Sequence, residues 1–251
     1  MSDFVPPPTG TQITSHNQYD TAGLSSSDLL PSPLALFQRW FESAQGQNVH
    51  EPEAMLLSTV ASSPTDGTPR PSSRVVLLKE IHPKEGLTFY TNYTSRKGRE
   101  LQQNPHAAAT FYWRETSQSV RFCGRVRRVE KVESQKYFDS RPVGSRVGAH
   151  ASPQSTRVGS REELEEMVRA KEHELGVPGA AGLEGKEAGK KWEDKKLEVP
   201  EYWGGYRIEP YEVEFWCGRP NRLHDRFRYT RDENSKKLAG EDEWVVERLA
   251  P

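Results

Sequence analysis

Cysteine is nearly absent. Cys123 and Cys217 are too few for a disulfide framework and stand at no metal-ligand spacing, so they read as reduced packing thiols, no metal site is expected, and a cytoplasmic setting fits. Long apolar runs are missing too: none approaches the ~20 residues a membrane helix needs, and the opening MSDFVPPPTG lacks the charged and apolar regions of a secretory signal. Neither sign of charge dominates. The 35 Lys and Arg against 36 Asp and Glu leave a net −1, which excludes bulk attraction to nucleic acid or to a membrane and requires any anion site to be local. Hydrophobic residues make up only 33%, with a mean hydropathy of −0.85, so much of the chain stays outside a core. No GxGxxG or GxxxxGK motif occurs and strands do not alternate regularly with helices, which argues for a barrel rather than a nucleotide-binding parallel sheet.

One domain with polar appendages is expected. Residues 1–32 are rich in Pro, Ser, Thr and Gly and read as a mobile arm. Residues 33–251 form the folded unit, with 176–200 a solvated, flexible insert of five Gly and five Lys and 201–251 a C-terminal dimerisation and substrate segment. Ser32-Pro33 starts a helix whose apolar face is Leu34, Phe37, Trp40 and Phe41. Strands are predicted over 56–61, 74–81, 86–92, 107–113, 119–132, 206–216, 222–229 and 244–249, with Gly124 marking a bend or a close backbone approach. Short helices are predicted after Ser95, over 132–140 and after Ser160, the first and last capped by their serines.

The densest chemistry lies in EFWCGRPNRLHDRFRY, Glu214 to Tyr229, where four arginines and a histidine stand among aromatic residues. As an extended strand it would turn Arg222, His224 and Arg226 to one face and Leu223 and Asp225 to the other, a surface suited to an anionic, planar ligand. Arg96 and Lys97 at the amino end of the helix capped by Ser95 make a second candidate phosphate cradle. Tyr137 and Arg141 are four apart and would share a face of one helix, with Ser145 in the turn beyond.

RVVLLKE (74–80), FYTNYTSRKGREL (89–101), YFDSRPVGSRVGAHASPQS (137–155), YWGGYRIEP (202–210) and ERLAP (247–251) occur in this order, and with them the chain resembles the pyridoxine/pyridoxamine 5′-phosphate oxidase family from about Pro33 to Pro251, outside a divergent insert near 176–199. The resemblance implies a mainly β fold with flanking helices, the FMN-binding split β-barrel, as a homodimer with FMN in a groove between subunits. It implies oxidation of pyridoxamine and pyridoxine 5′-phosphates to pyridoxal 5′-phosphate, with FMN as electron acceptor and oxygen reduced to hydrogen peroxide. Carried over residue by residue, it assigns FMN to Arg74, Val75, Val76, Leu77, Lys79, Tyr90, Thr91, Arg96, Lys97, Gln154, Ser155, Trp216 and Arg226. The substrate phosphate goes to Lys79, Tyr137, Arg141 and Ser145, and the substrate ring to Arg222, Leu223 and His224, with Arg222 and His224 catalytic.

Three departures stand out. Ser119 occupies the place of a flavin-contacting Gln and keeps a shorter donor, Cys217 replaces the Gln of EFWQG, and His16 falls where an Arg is common in an arm whose Tyr matches Tyr19. Other readings are a split-barrel flavoenzyme of another substrate, a non-catalytic FMN or pyridoxal phosphate carrier, and a nucleic-acid patch at GRVRRVEK, against which Glu130 and Glu133 count.

Overall fold

The computed structural model describes residues 18–63, 65–183 and 186–251. Helix α1 (Pro33–Gly46) starts where Pro33 fixes φ, its missing N–H falling at a position that has no intrahelical acceptor. Its Leu34, Phe37, Trp40 and Ala44 are buried while Phe41 is only partly so. The Phe37 ring lies 4.8 Å from both Phe111 and Phe122, and Trp40 lies 5.2 Å from Phe215.

Nine antiparallel strands follow: β1 (Ala54–Ser62), β2 (Pro69–Leu77), β3 (Glu80–His82), β4 (Gly86–Asn92), β5 (His106–Trp113), β6 (Gln118–Arg128), β7 (Trp203–Cys217), β8 (Asp225–Thr230) and β9 (Val245–Arg248). Their order is β2-β1-β5-β6-β7-β4-β3, with β8 on β7 and β9 on β8. The expected strand 74–81 is therefore two strands. Leu78 N donates to Glu53 O (2.9 Å) beside β1, and Lys79 N donates to Thr88 O (2.8 Å) on β4. Two residues thus join the opposite ends of the strand order, which requires the sheet to curl into a barrel.

Strand β7 is where the barrel splits. Its first half pairs with β4 and its second with β8, while β6 runs along both. At the fork Pro210, which has no N–H, faces Gly124, and the register shifts between Cys123 and Gly124. A Cβ on Gly124 would stand 2.5 Å from Glu209 O, so the close approach expected there is present. Leu57, Ala109, Phe111, Val120, Phe122, Val213 and Phe215 fill the interior, all at 0% exposure. Burying side chains of this size is worth roughly 1.5–3 kcal/mol each.

Four more helices flank the barrel: α2 (Arg96–Gln103), α3 (Lys131–Asp139), α4 (Val143–Ala151) and α5 (Arg161–Glu174). The Ser95 and Ser160 hydroxyls accept from Gly98 N and Glu163 N, the caps read from the sequence. Helix α4 was not expected. Its two glycines and two valines are poor helix formers, but Val143, Val147 and Ala151, spaced by four, are all buried, and packing overrides propensity.

Several expectations are corrected. Strand β6 stops at Arg128 rather than 132, because Lys131 opens α3, and Val132 is 78% exposed on that helix. The insert 176–200 is not a solvated loop: Val177, Ala180, Leu197 and Val199 are buried against Phe138, Val143, Val147 and Trp203 in a second apolar core. Within the expected arm, Leu24 is 5% exposed, Leu24 N donates to Asp225 Oδ2 (3.0 Å), and Leu29 and Leu30 pack on the main core; the few large apolar residues present are the ones that dock. Residues 1–17, with His16, lie outside the described residues. Among the described residues no helix is long and apolar enough to cross a membrane, and no group of His, Cys, Asp or Glu could hold a metal. Both cysteines are free thiols.

Candidate active site

Two cavities gather most of the candidate residues, though Arg74, Arg96, Ser155, Arg222, Leu223 and His224 line neither. The first, of about 500 Å³, is lined by Val75, Val76 and Leu77 of β2, Lys79, Tyr90 and Thr91 of β4, Lys97 of α2, Tyr137 of α3, Arg141, Pro142, Ser145 of α4, Gln154 and Trp203. Sequence separations of more than 100 residues close here because β4 pairs with the start of β7, where Gly204 and Gly205 let the Tyr93 and Tyr90 rings lie directly on the backbone. Tyr90 stacks on Tyr137 at 3.9 Å, and Trp203 lies 5.6 Å from Tyr90 in a nearly parallel plane. Burial, and then the Glu133 and Glu80 charges, push the Tyr90 phenol up, and burial does the same to Tyr137, so both remain protonated donors.

The cations of this cavity are held mostly by neutral groups. Lys97 is 9% exposed and donates to Gln154 Oε1 (2.7 Å) and Thr91 Oγ1 (3.1 Å). Burial first, then the Arg74 charge, brings its ammonium down to about 8. Arg141 lies 4.8 Å over the Trp203 ring, burial pushes its guanidinium down, and its buried Nη1 has no hydrogen-bond partner among the described residues. Arg74 and Arg96 turn instead to one carboxylate, Glu100, at 2.8 Å each, and Arg74 also reaches Thr59 Oγ1. Burial works to raise Glu100, but hydrogen bonds from Thr59, Arg96 and Arg74 hold it below the usual carboxylate range. Ser155 follows Gln154 with φ 71° and is exposed.

Tyr137 and Arg141 do not share a helix face. Helix α3 ends at Asp139, Arg141 sits in the link to α4, and Ser145 lies in α4 itself; Pro142, just before α4, disfavours helical backbone at Arg141, so the arginine meets the tyrosine from outside α3.

The second cavity, of about 460 Å³, is lined by Tyr19, Thr110, Tyr112, Ser119, Arg121, Glu214, Trp216, Arg226 and Pro251. Arg226 donates to Glu214 Oε1 (2.7 Å) and to Ala250 O (2.8 Å), and Arg121 donates to Glu214 Oε2 (2.9 Å). Burial would raise Glu214, but these two arginines override it and keep the carboxyl low. The Ser119 hydroxyl donates to Phe111 O (2.8 Å), so the donor expected to serve a ligand is taken up by the backbone. His224 lies 4.7 Å from Trp216 and 5.5 Å from Tyr19.

Arg222 and His224 are not on a strand. Strand β8 begins only at Asp225, and Pro220–Arg222 form a tight turn with Asn221 at φ 57° and Arg222 at φ 62°. Two successive left-handed residues cannot continue a ladder, so the alternation read over 222–226 fails there and only Arg226 keeps it. Left-handed non-glycine residues are costly and recur at functional sites. His224 Nδ1 accepts from Arg219 N (3.1 Å), which leaves the proton of a neutral ring on Nε2. Leu223 is 69% exposed. The chain thus brings Lys79, Tyr137, Arg141 and Ser145 together and sets His224 against Tyr19 and Trp216 of the other cavity. The sequence reading missed Trp203, Arg121 and Glu214; an aromatic residue before a Gly-Gly pair was the available signal for the first, and Arg121 and Glu214 are direct cross-strand partners.

An exposed row links the cavities: Val75 faces Leu56, Leu56 faces Thr110, Thr110 faces Arg121 and Arg121 faces Glu214 across β2, β1, β5, β6 and β7. Val75, Leu56, Leu77 and Tyr112 are 66%, 44%, 38% and 56% exposed on this face.

Residues 41–171 match the family described as pyridoxamine 5′-phosphate oxidase, and residues 203–251 match the pyridoxine 5′-phosphate oxidase C-terminal dimerisation region. The chain belongs to this family. It is 44% identical over 234 residues to a pyridoxine/pyridoxamine 5′-phosphate oxidase of Salinibacter ruber, covering 93% of this chain and 96% of that one, and 44% identical over 233 residues to one of Burkholderia multivorans, covering 93% and 95%. Among solved structures it is similar to PhzG of Burkholderia lata, in complex with tetrahydrophenazine-1-carboxylic acid, with a TM-score of 0.73, 33% identity and coverage of 94% of this chain and all of that one. A pyridoxamine 5′-phosphate oxidase-related, FMN-binding protein of Nostoc punctiforme shares the fold at a TM-score of 0.62 and 16% identity, over 89% of this chain and all of that one.

Proposed function

We propose that this family member is an oxidase of pyridoxamine and pyridoxine 5′-phosphates that uses FMN and works as a homodimer. The observation that carries the reading is the first cavity, where a half-buried arginine whose buried Nη1 has no partner among the described residues and a buried lysine held by neutral groups flank a stack of aromatic rings. Such a site is incomplete without anions and flat apolar surface. The residues fit FMN: Lys97, with Arg96 and Arg74 behind it, would take its phosphate, and Val75, Val76, Leu77, Tyr90, Thr91, Gln154 and Ser155 its ring and ribityl edges. When bound, FMN accepts two electrons from the substrate and returns them to oxygen, releasing hydrogen peroxide.

The chain's own residues bind and orient. Arg141 Nη1, Lys79, the Tyr137 hydroxyl and Ser145 supply four donors to a substrate phosphate. Arg222 has no hydrogen-bond or ion-pair partner among the described residues, which suits a group that engages only when substrate arrives. His224 Nε2–H can donate a hydrogen bond to the substrate's amine or alcohol edge and so orient it. Trp216 and Arg226 complete the cofactor site from a second copy, whose apolar face would cover Val75, Leu56, Leu77 and Tyr112.

The test is purification followed by spectroscopy and turnover. The expected result is a flavin absorption band from a releasable mononucleotide, with pyridoxal 5′-phosphate and peroxide formed from pyridoxamine 5′-phosphate under oxygen. Bound flavin without turnover would make the protein a carrier; no flavin affinity at all would overturn the reading.

A further inference from the structure

We infer that residues 177–183 and 189–199 act as the two halves of a strap that positions the substrate-phosphate ligands by clamping α4, with Arg146 and Glu172 as its two pins. The inference rests on the reading of the first cavity as the substrate-phosphate site.

Helix α4 has two sides. Helical spacing sets Ser145, which lines the cavity, opposite Val143 and Val147, with Gly144 and Arg146 on the two flanks. That opposite side is covered by the strap. A Cβ on Gly144 would already stand 3.0 Å from Ala180 O, so strap and helix touch along the backbone.

The pins are complementary and buried. Arg146, 2% exposed, donates from Nη1 to Lys195 O and from Nη2 to Glu193 O, both at 2.6 Å, and so holds carbonyls of the strap's second half. Glu172 of α5, 4% exposed, accepts from Gly179 N (3.1 Å) and Ala181 N (2.5 Å) and so holds amides of its first half. Glu193 returns the contact by accepting from Val143 N (3.0 Å) at the first turn of α4, and Trp192 Nε1 donates to Pro178 O (2.9 Å), tying the halves together. A guanidinium buried on backbone carbonyls fixes position strongly, because leaving those groups unpaired is costly. What it fixes is the turn Arg141–Pro142–Val143, which sets the angle at which Arg141 and Ser145 enter the cavity. Arg146 is thus a positioning residue that never touches the ligand.

The test uses the flavin-loaded full chain and Arg146→Met, which keeps the length and apolar stem and loses the donors. We expect the KM for pyridoxamine 5′-phosphate to rise roughly tenfold while kcat changes less than about threefold. The KM for unphosphorylated pyridoxamine should not move, and amide hydrogen exchange over residues 143–151 should speed up. Glu172→Gln, which weakens the other pin, carries the same measurements if Arg146→Met does not fold, and Arg146→Lys should restore part of the loss. Faster exchange with an unchanged KM, or equal KM shifts for both substrates, would overturn the strap as a positioning device while leaving the oxidase reading intact. Failure of the wild-type protein to oxidise either substrate would instead overturn that reading, and the inference with it.

Discussion

The two cavities share one sheet face but treat charge in opposite ways. In the first, Lys97 rests on an amide and a hydroxyl, and Arg141 keeps a buried N–H without a partner among the described residues. In the second, Arg226 and Arg121 share Glu214, and outside its lining Arg219 and Arg248 share Asp225 at 3.7 and 2.6 Å. On the reading proposed above, the difference marks the first half as the one that would receive an anion, since unneutralised cations suit a phosphate, and the second as a wall braced by paired charges.

The largest expected effect tests whether the wall also does chemistry. Arg222→Leu should slow flavin reduction by about 10²-fold or more while FMN affinity hardly changes, because orientation of the substrate is lost and the cofactor cradle is not. Anaerobic stopped flow with saturating pyridoxamine 5′-phosphate measures it, and a wild-type reduction rate would place catalysis elsewhere. The same variant sharpens the comparison when coexpressed with Arg141→Met. If each complete site takes one cavity from each copy, random dimers of the two chains, each impaired when substrate is kept well below the raised KM of Arg141→Met, regain about a quarter of wild-type activity under that condition. If both cavities serve one ligand within one chain, the mixture stays as impaired as its parents.

Arg141→Met alone removes a charged hydrogen-bond donor worth about 1.5–3 kcal/mol, so the KM for the phosphorylated substrate should rise by roughly 10- to 150-fold. Steady-state assays settle that, and an unchanged KM would show that the orphan N–H faces no phosphate.

A smaller effect follows from Lys97. Its folded value near 8 lies below the usual 10.5, and FMN phosphate pairs with the protonated form. Flavin affinity should therefore hold steady below pH 8 and fall by up to about tenfold per pH unit above it. The flavin-free protein should move the other way: between about 8 and 10.5 the unfolded chain binds the extra proton, so stability rises with pH across that window. Flavin titrations and denaturant midpoints at several pH values check both signs. Smallest of all, Ser119→Gln should tighten FMN by at most about tenfold, since one neutral hydrogen bond is worth about 0.5–1.5 kcal/mol. Fluorescence titration reads it, and weaker binding would mean that the Ser119–Phe111 contact shapes the strand.

Local signals carried far. The caps at Ser95 and Ser160, the Pro33 helix start and the close approach at Gly124 are properties of a few adjacent residues and were readable from the sequence. The break at Leu78–Lys79 was not, because RVVLLKE is uniformly strand-like and only pairing with β1 on one side and β4 on the other divides it. Helix α4 and the docked insert escaped for a related reason: their stability comes from one another rather than from propensity. The shared register assumed for Arg222, His224 and Arg226 failed on two left-handed residues that no periodicity announces. That Lys79, Tyr137, Arg141 and Ser145 would meet followed from the ordered motifs, but the acidic counterpart of each arginine did not, because ion pairing depends on cross-strand register.

The fork in β7 bears on how the polypeptide is born. The matched N-terminal region ends at residue 171, yet β4 and β6 have no strand between them until Trp203–Cys217 is inserted. On the ribosome, at roughly 5–20 residues per second, both strand edges therefore wait seconds for a partner encoded downstream. Until it arrives they are open templates for pairing with another chain. The two matched regions are thus pieces of one cooperative folding event, and a truncation before β7 should yield an aggregating fragment rather than a smaller domain.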